Sequence, residues 1–417
     1  MTKHLRLTRI RSVAGCLLVQ LCVGIIYLWS IFKTPMAEAF GCGSQSLSMV
    51  SSYMMMAFVL GCFLGGILND KKGPQITCRL GVQLFSLGIV TTAWLTRDTI
   101  ALINLTYAGL GGLGSGLAYS ACVSCVQKWL PGRRGLATGL AVASFGLSTV
   151  VFAPVFQGIM GIFTSDTTGL VDFRGVFSTL ALIFLSAGLL GCLMIRLPEQ
   201  EKVTNELGHH GDMPLHKALR TPQYWCIFFT VFFINGTWNL TVPVLYDLGI
   251  QRGLSAAAAT FAVSFTGIPN AVGRLLMGSL SDKLGRRGCI CLLSVMTAAA
   301  AVSMIFVRGV GYILAVCVIA FAYGGPSSVN AAMTTDYFGP RYSGTNYGVI
   351  MLALGASSLF FNCLSATVFQ GSITVSFVVA AVSALVPAVL MRLIGQPPAV
   401  EADVTPLPGA DALLHRT

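Results

Sequence analysis

The chain has 417 residues, a formal net charge of +11, 55% hydrophobic residues and only 10% charged ones, with a mean hydropathy of +0.78. Soluble domains carry about 25% charged residues, so the composition excludes a water-soluble fold. The positive charge would suit a nucleic acid, but its distribution along the chain follows a membrane instead, and no nucleic-acid partner is expected.

Apolar runs occur near 12–32, 47–68, 76–95, 100–126, 135–160, 174–195, 223–246, 256–280, 289–307, 310–334, 345–369 and 373–394. Each is about 20 residues or longer, enough to cross a ~30 Å hydrocarbon layer as a helix. Backbone groups in lipid must pair within their own segment, so these runs are helices; the alternation of a membrane barrel is absent. The expected fold is an all-α membrane protein with twelve transmembrane helices in two pseudo-symmetric six-helix bundles. Residues 1–196 form the first bundle, 197–221 a cytoplasmic linker, 222–394 the second bundle and 395–417 a disordered cytoplasmic tail.

The first run follows Lys3, Arg6, Arg9 and Arg11, as a signal peptide would. It is about 20 residues long and lacks a clear small-x-small cleavage site, so it reads as helix one. The second run ends in Gly66-Ile-Leu-Asn-Asp70-Lys71-Lys72-Gly73-Pro74, and the eighth in Gly278-Ser-Leu-Ser-Asp282-Lys283-Leu284-Gly285-Arg286-Arg287. Within the fourth run, Gly109-Leu-Gly111-Gly-Leu-Gly114 matches a dinucleotide fingerprint but follows no strand, so it fails that reading. Gly112 and Gly116 form a G-x-x-x-G that fits close helix packing. Cys122 and Cys125 lie in the same run and read as small packing residues, not a redox pair.

Lys128-Trp-Leu-Pro131-Gly-Arg133-Arg134-Gly135-Leu-Ala-Thr-Gly139 joins runs four and five. Asp336-Tyr-Phe-Gly-Pro340-Arg-Tyr-Ser-Gly344-Thr-Asn-Tyr-Gly348 joins runs ten and eleven. Two loop motifs recurring at nearly one offset mark two parallel repeats, and such repeats place a substrate route between the halves. Thr221-Pro222 supplies a cap and an N1 proline to open run seven.

Of the 26 Lys and Arg residues, Lys33, Arg97, Arg174, Arg252 and Arg308 fall on one side of the bundle and Arg274 within it. All the others fall on the opposite side, which is therefore read as cytoplasmic, with both termini there. Trp94, Trp129 and Trp225 sit at segment ends, where aromatic belts form. The five histidines lie in loops or tails, and no metal site or nucleophilic triad can be assembled, so neither an enzyme nor a cofactor is expected.

Arg274 lies eight residues before Asp282, about 12 Å inside the layer. Inserting an arginine there costs roughly 2.5–3.5 kcal/mol on insertion scales, and an intramembrane charge is functional by default. The bland alternative is an arginine that snorkels or pairs with a helical carbonyl. Its depth opposes snorkelling, and no Asp or Glu lies inside any run to pair with it. The planar guanidinium suits a carboxylate through two parallel hydrogen bonds. Asn270, four residues earlier on the same helical face, either orients Arg274 or the substrate, as part of the binding site, or bonds to another helix. The repeated Asp70, Arg133, Arg134, Asp282, Arg286 and Arg287 set topology, and their recurrence suggests a cytoplasmic gate as well.

The Gly-x-x-x-Asp-Lys-x-Gly loops resemble the signature of the major facilitator superfamily over all twelve helices. The segments Lys128 to Gly139, Leu219-Arg-Thr-Pro-Gln-Tyr-Trp225 and Asn346-Tyr-Gly348 are similar to the oxalate/formate antiporter family, which neighbours the monocarboxylate transporters. The resemblance implies that Arg274 binds a substrate carboxylate and that Tyr27, Tyr119 and Tyr323, with Trp29 and Trp238 as weaker candidates, line the cavity. It also implies a second cation in helix eleven of oxalate carriers, where this chain has Leu354, and a tyrosine near Ser327. The proton-linked carriers tend to have an aspartate where this chain has Asn270.

The expected function is secondary active transport of small organic anions, foremost monocarboxylates of the lactate, pyruvate and formate type, by alternating access. Alternatives are an oxalate/formate-type dicarboxylate exchanger, a transporter-like solute sensor and a multidrug effluxer. The expected partners are the carboxylate, the lipid bilayer and a co-transported proton or counter-anion. A monomer in the inner membrane is expected.

Overall fold

Both Asp-Lys-x-Gly loops turn on a glycine in the left-handed region. Gly73 (φ 82°) and Gly285 (φ 81°) each end one helix and start the next, a conformation that costs glycine little. The computed structural model describes residues 3–25, 29–41, 47, 49–165, 170–198, 212–241, 244–367 and 372–397. The first half contains α1 (Lys3–Val23), α2 (Trp29–Phe40), α3 (Val50–Lys72), α4 (Pro74–Thr92), α5 (Gly111–Trp129), α6 (Arg134–Ile162) and α7 (Phe173–Met194). The second contains α8 (Pro222–Ile234), α9 (Gly236–Thr241), α10 (Leu245–Gln251), α11 (Ala256–Phe265), α12 (Gly267–Leu284), α13 (Arg286–Phe306), α14 (Val310–Phe338), α15 (Ser343–Thr367) and α16 (Ile373–Leu393). Among the described residues no strand forms beyond an isolated bridge between Thr164 and Val171.

Eight helical stretches among the described residues are long and apolar enough to cross a membrane, and a ninth is bent by 50° between Thr241 and Leu245. The others fail that test for visible reasons. Helix α1 starts with Arg6, Arg9 and Arg11, α4 is diluted by Gln75, Arg79 and Gln83, and α12 carries Arg274, Asp282 and Lys283. The eighth run is not one continuous helix but breaks at Thr266 between α11 and α12. Pro269 has no N–H to give the Phe265 carbonyl, so the ladder stops there. The fourth run opens as a 3₁₀ turn (Arg97–Asn104) and a π turn (Leu105–Leu110) before α5.

Glycines let the helices touch backbone to backbone. A Cβ on Gly61 would meet the Leu113 carbonyl, one on Gly112 the Met54 carbonyl, and one on Gly116 the Phe58 carbonyl. Gly112 and Gly116 thus serve close packing of α5 on α3. Cys122 and Cys125 are buried in α5, and the Cys122 sulfur lies 3.5 Å from that of Cys78. Thr221 caps α8 through the Tyr224 N–H, and Pro222 follows at the first helical position. The halves meet along two related seams, α3 against α15 and α12 against α6.

Candidate functional site

Gly273 and Gly324 fix where Arg274 points. A Cβ on Gly273 would strike the Phe321 carbonyl, and one on Gly324 the Asn270 carbonyl, so α12 lies directly on α14. On the other side, α6 presents Gly146, where a Cβ would sit 3.4 Å from the Arg274 guanidinium. Arg274 is 5% exposed. Its Nε donates to Asn270 Oδ1 (2.8 Å), and its Nη1 donates across the interface to the Val142 carbonyl (2.9 Å). Its Nη2 has no hydrogen-bond partner among the described residues. Carbonyl and amide oxygens orient the guanidinium without neutralising it, and an uncompensated buried charge costs several kcal/mol. An anion at Nη2 would relieve that cost.

Arg274 lines a central cavity of about 50 Å³ between the halves. Holding one water takes about 10–15 Å³ of such free space, so the cavity is on the scale of a few waters or a very small solute. The first half contributes Met55, Phe58, Tyr119 and Phe145, with the rings of Phe58, Tyr119 and Phe145 in mutual contact. The second half adds Tyr323, Ser327 and Asn330 from α14, Tyr347, Met351 and Leu354 from α15, and Asn235. Among the described lining residues Arg274 carries the only charge.

Tyr119, Tyr323 and Leu354 therefore share the cavity with Arg274, while Tyr27 lies outside the described residues. Asn270 is not in the wall but holds Arg274 from behind. Trp238 stacks on Tyr323 with centroids 4.6 Å apart, whereas Trp29 is buried against Tyr107 and donates to the Leu47 carbonyl. The sequence reading missed Tyr347, Asn330 and Asn235. Tyr347 reaches Tyr119 and donates to the Ser327 carbonyl (3.3 Å). Asn330 keeps its buried Oδ1 without a partner among the described residues.

At the basic end of the bundle each repeated carboxylate caps a helix of the opposite half. Asp70 on α3 accepts from the Gly344 N–H (3.2 Å), the Thr345 N–H (2.7 Å) and the Thr345 hydroxyl (2.7 Å) at the start of α15. Asp282 on α12 accepts from the Gly135 N–H (2.8 Å) and the Leu136 N–H (2.9 Å) at the start of α6. A carboxylate on a helix N-terminus contributes about 0.3–1 kcal/mol, up to ~2 kcal/mol when partly buried. Glycines one turn earlier allow the approach: a Cβ on Gly66 would strike the Gly344 carbonyl, and one on Gly278 the Gly135 carbonyl.

The arginines sit differently from simple partners of these aspartates. Arg286 pairs with Asp282 (2.7 Å) and Asp336 (2.8 Å), and Arg134 crosses between halves to Asp336 (2.9 Å). Arg287 donates to the Tyr337 hydroxyl (3.0 and 2.9 Å). Arg133 is exposed on the turn before α6 and joins none of these pairs among the described residues. Asp336, in the motif that joins runs ten and eleven, thus links Arg134 of one half to Arg286 of the other. Neutral bonds complete the seam, with Ser124 to Ser343 (3.2 Å) and Thr335 to Gln127 (2.7 Å).

The profile described as Major Facilitator Superfamily matches residues 15–362 and, in a second match, 248–415. The chain belongs to the Major Facilitator Superfamily. This major facilitator is similar to the oxalate:formate antiporter of Oxalobacter formigenes, with 26% identity over 370 residues, 85% of this chain and 84% of the relative. It is equally similar to monocarboxylate transporter 13 of Rattus norvegicus, at 26% identity over 370 residues, 86% of this chain and 82% of the relative. A crystal structure of the E. coli fucose:proton symporter FucP shares the fold, with a TM-score of 0.70 and 15% identity across 93% of this chain and 100% of that one. The family suggested by the loop motifs is thus the family found, and the protein is a membrane transporter, not an enzyme.

Proposed function

We propose that this major facilitator carries small monocarboxylates by alternating access, with the carboxylate on Arg274. The supporting observation is a single buried guanidinium, held on Nε and Nη1, with Nη2 unpartnered among the described residues at a cavity between the halves. Substrate binding adds a charge-assisted pair that these neutral partners do not supply. Tyr119, Tyr323 and Tyr347 close around the bound acid and Leu354 takes its apolar end. The Asp70 and Asp282 caps hold the basic end shut, which is the cytoplasmic end if the excess of positive charge sets orientation. Rocking the halves breaks both caps together and exposes the site to that side.

No Asp or Glu lines the cavity among the described residues, which favours exchange of one anion for another, or a proton travelling with the substrate. A dianion such as oxalate would bring a second charge to a site with one cation, and relatives named for oxalate and for monocarboxylates are similar at the same 26% identity. The test is counterflow in liposomes with radiolabelled formate, lactate, pyruvate and oxalate. Robust counterflow of the monocarboxylates with weak competition by oxalate is expected. Oxalate competing as strongly as lactate would overturn the monocarboxylate reading, and no counterflow of any acid would overturn transport.

A further inference from the structure

On the exposed surface of the first half, at the end away from Asp70, Arg174 sits over Trp94, its guanidinium carbon 3.8 Å from the ring centroid. The two line a cavity of about 370 Å³ together with Asp172 and Phe40. Below it a groove of about 690 Å³ runs between α4 and α7, walled by Leu87, Val90, Leu182, Leu185 and Leu189. The cavities lie on one stripe of the same two helices. On α4 the lining residues step from Gln83 through Ser86 and Leu87 to Val90, and Trp94 follows in the turn just past the helix end. On α7 they step from Leu189 through Leu185, Leu182 and Ser178 to Arg174. These three- and four-residue steps keep one helical face.

The shape is that of a lipid. From Arg174 to Leu189, fifteen residues at about 1.5 Å each span roughly 22 Å. One leaflet of a bilayer, headgroup included, is half of about 40–45 Å. The polar end holds a cation and a carboxylate side by side. Asp172 accepts the Arg174 N–H (3.0 Å) as the cap of α7, and both residues face the upper cavity. A free phosphate would meet the Asp172 charge, and a purely cationic amphiphile would meet Arg174. A headgroup with both signs satisfies each, its phosphate on the guanidinium fork and its ammonium on Asp172. Trp94, 63% exposed, has the place and amphipathic character of an interfacial belt residue.

We propose that this cleft is a binding site for one zwitterionic glycerophospholipid with a primary ammonium, phosphate at Arg174, amine at Asp172 and acyl chain along α4 and α7. The test is native mass spectrometry of the detergent-purified protein with phosphatidylethanolamine or phosphatidylglycerol of identical chains. Wild type should retain one phosphatidylethanolamine at least tenfold better than phosphatidylglycerol. Arg174→Gln should weaken that retention at least tenfold. Leu182→Trp, at a side chain 67% exposed, fills the groove without burdening the core and should weaken it as much. Equal retention of the two lipids by wild type, or wild-type retention by either variant, would overturn the site.

Discussion

The basic end of the bundle is built twice, and its centre is built once. Gly66 and Asp70 on α3 dock on the start of α15, and Gly278 and Asp282 on α12 dock on the start of α6. Eight residues before Asp282 stands Arg274; eight residues before Asp70 stands Cys62, a buried thiol. Among the described residues the first half answers Arg274 with the Val142 carbonyl and a wall of Met55, Phe58, Tyr119 and Phe145. Rocking of parallel repeats needs matched seams, so the seams kept their symmetry. On the proposed reading the centre holds one asymmetric anion, which needs one charge, so it has no counterpart in the first half.

The sharpest way to break the symmetric part is Gly66→Val. Its side chain would collide with the Gly344 carbonyl, and overpacking of this kind typically costs 1–3 kcal/mol, about ten- to hundredfold in an equilibrium. Exchange in liposomes should fall by up to that factor while lactate binding to purified protein persists; wild-type exchange would show that the seam need not close.

The asymmetric part is altered by Leu354→Lys, which adds a second cation to the cavity wall. Oxalate affinity should rise about tenfold or more, since pairing a buried charge removes a penalty of several kcal/mol. Unchanged oxalate affinity by calorimetry would contradict the charge balance assigned to the site. Asn270→Ala removes the oxygen that orients Nε of Arg274. A hydrogen bond to a charged group contributes about 1.5–3 kcal/mol, so the KM for lactate should rise roughly tenfold or more with the protein still folded, and an unchanged KM would make Asn270 a packing residue.

Asp70→Asn should have the smallest effect: the amide oxygen still accepts from both Thr345 donors, and what is lost is the charge on the α15 N-terminus and the longer bond from the Gly344 N–H (3.2 Å). At about 0.3–1 kcal/mol, exchange should change about two- to fivefold with binding intact. Asp282→Asn should act more strongly, since Arg286 loses one of its two carboxylates. Equal effects of the two variants, measured by exchange rate, would remove the distinction between the seams.

Much of this was legible in the chain. Run lengths revealed the helices, and the spacing of Gly66, Asp70, Gly278 and Asp282 revealed the repeat. What the aspartates bind was not legible, because backbone N–H groups at a helix start have no side-chain signature; arginines were the visible partners, and Asp336 takes Arg134 instead. Tyr347 and Asn330 could have been found. Tyr347 is seven residues before Leu354, and Asn330 seven after Tyr323, which is the spacing of one helical face. The break of run eight at Thr266 was signalled by Pro269, which sits inside an otherwise unbroken apolar stretch.

The claim that Arg274 holds the carboxylate is tested most directly by calorimetry of lactate binding to purified wild type, Arg274→Lys and Arg274→Ala. Lysine keeps the charge but loses the planar fork and the paired contacts to Asn270 and Val142. The account predicts clear binding by wild type, at least tenfold weaker binding by Arg274→Lys and none by Arg274→Ala. Lactate binding by Arg274→Ala at wild-type affinity would contradict it.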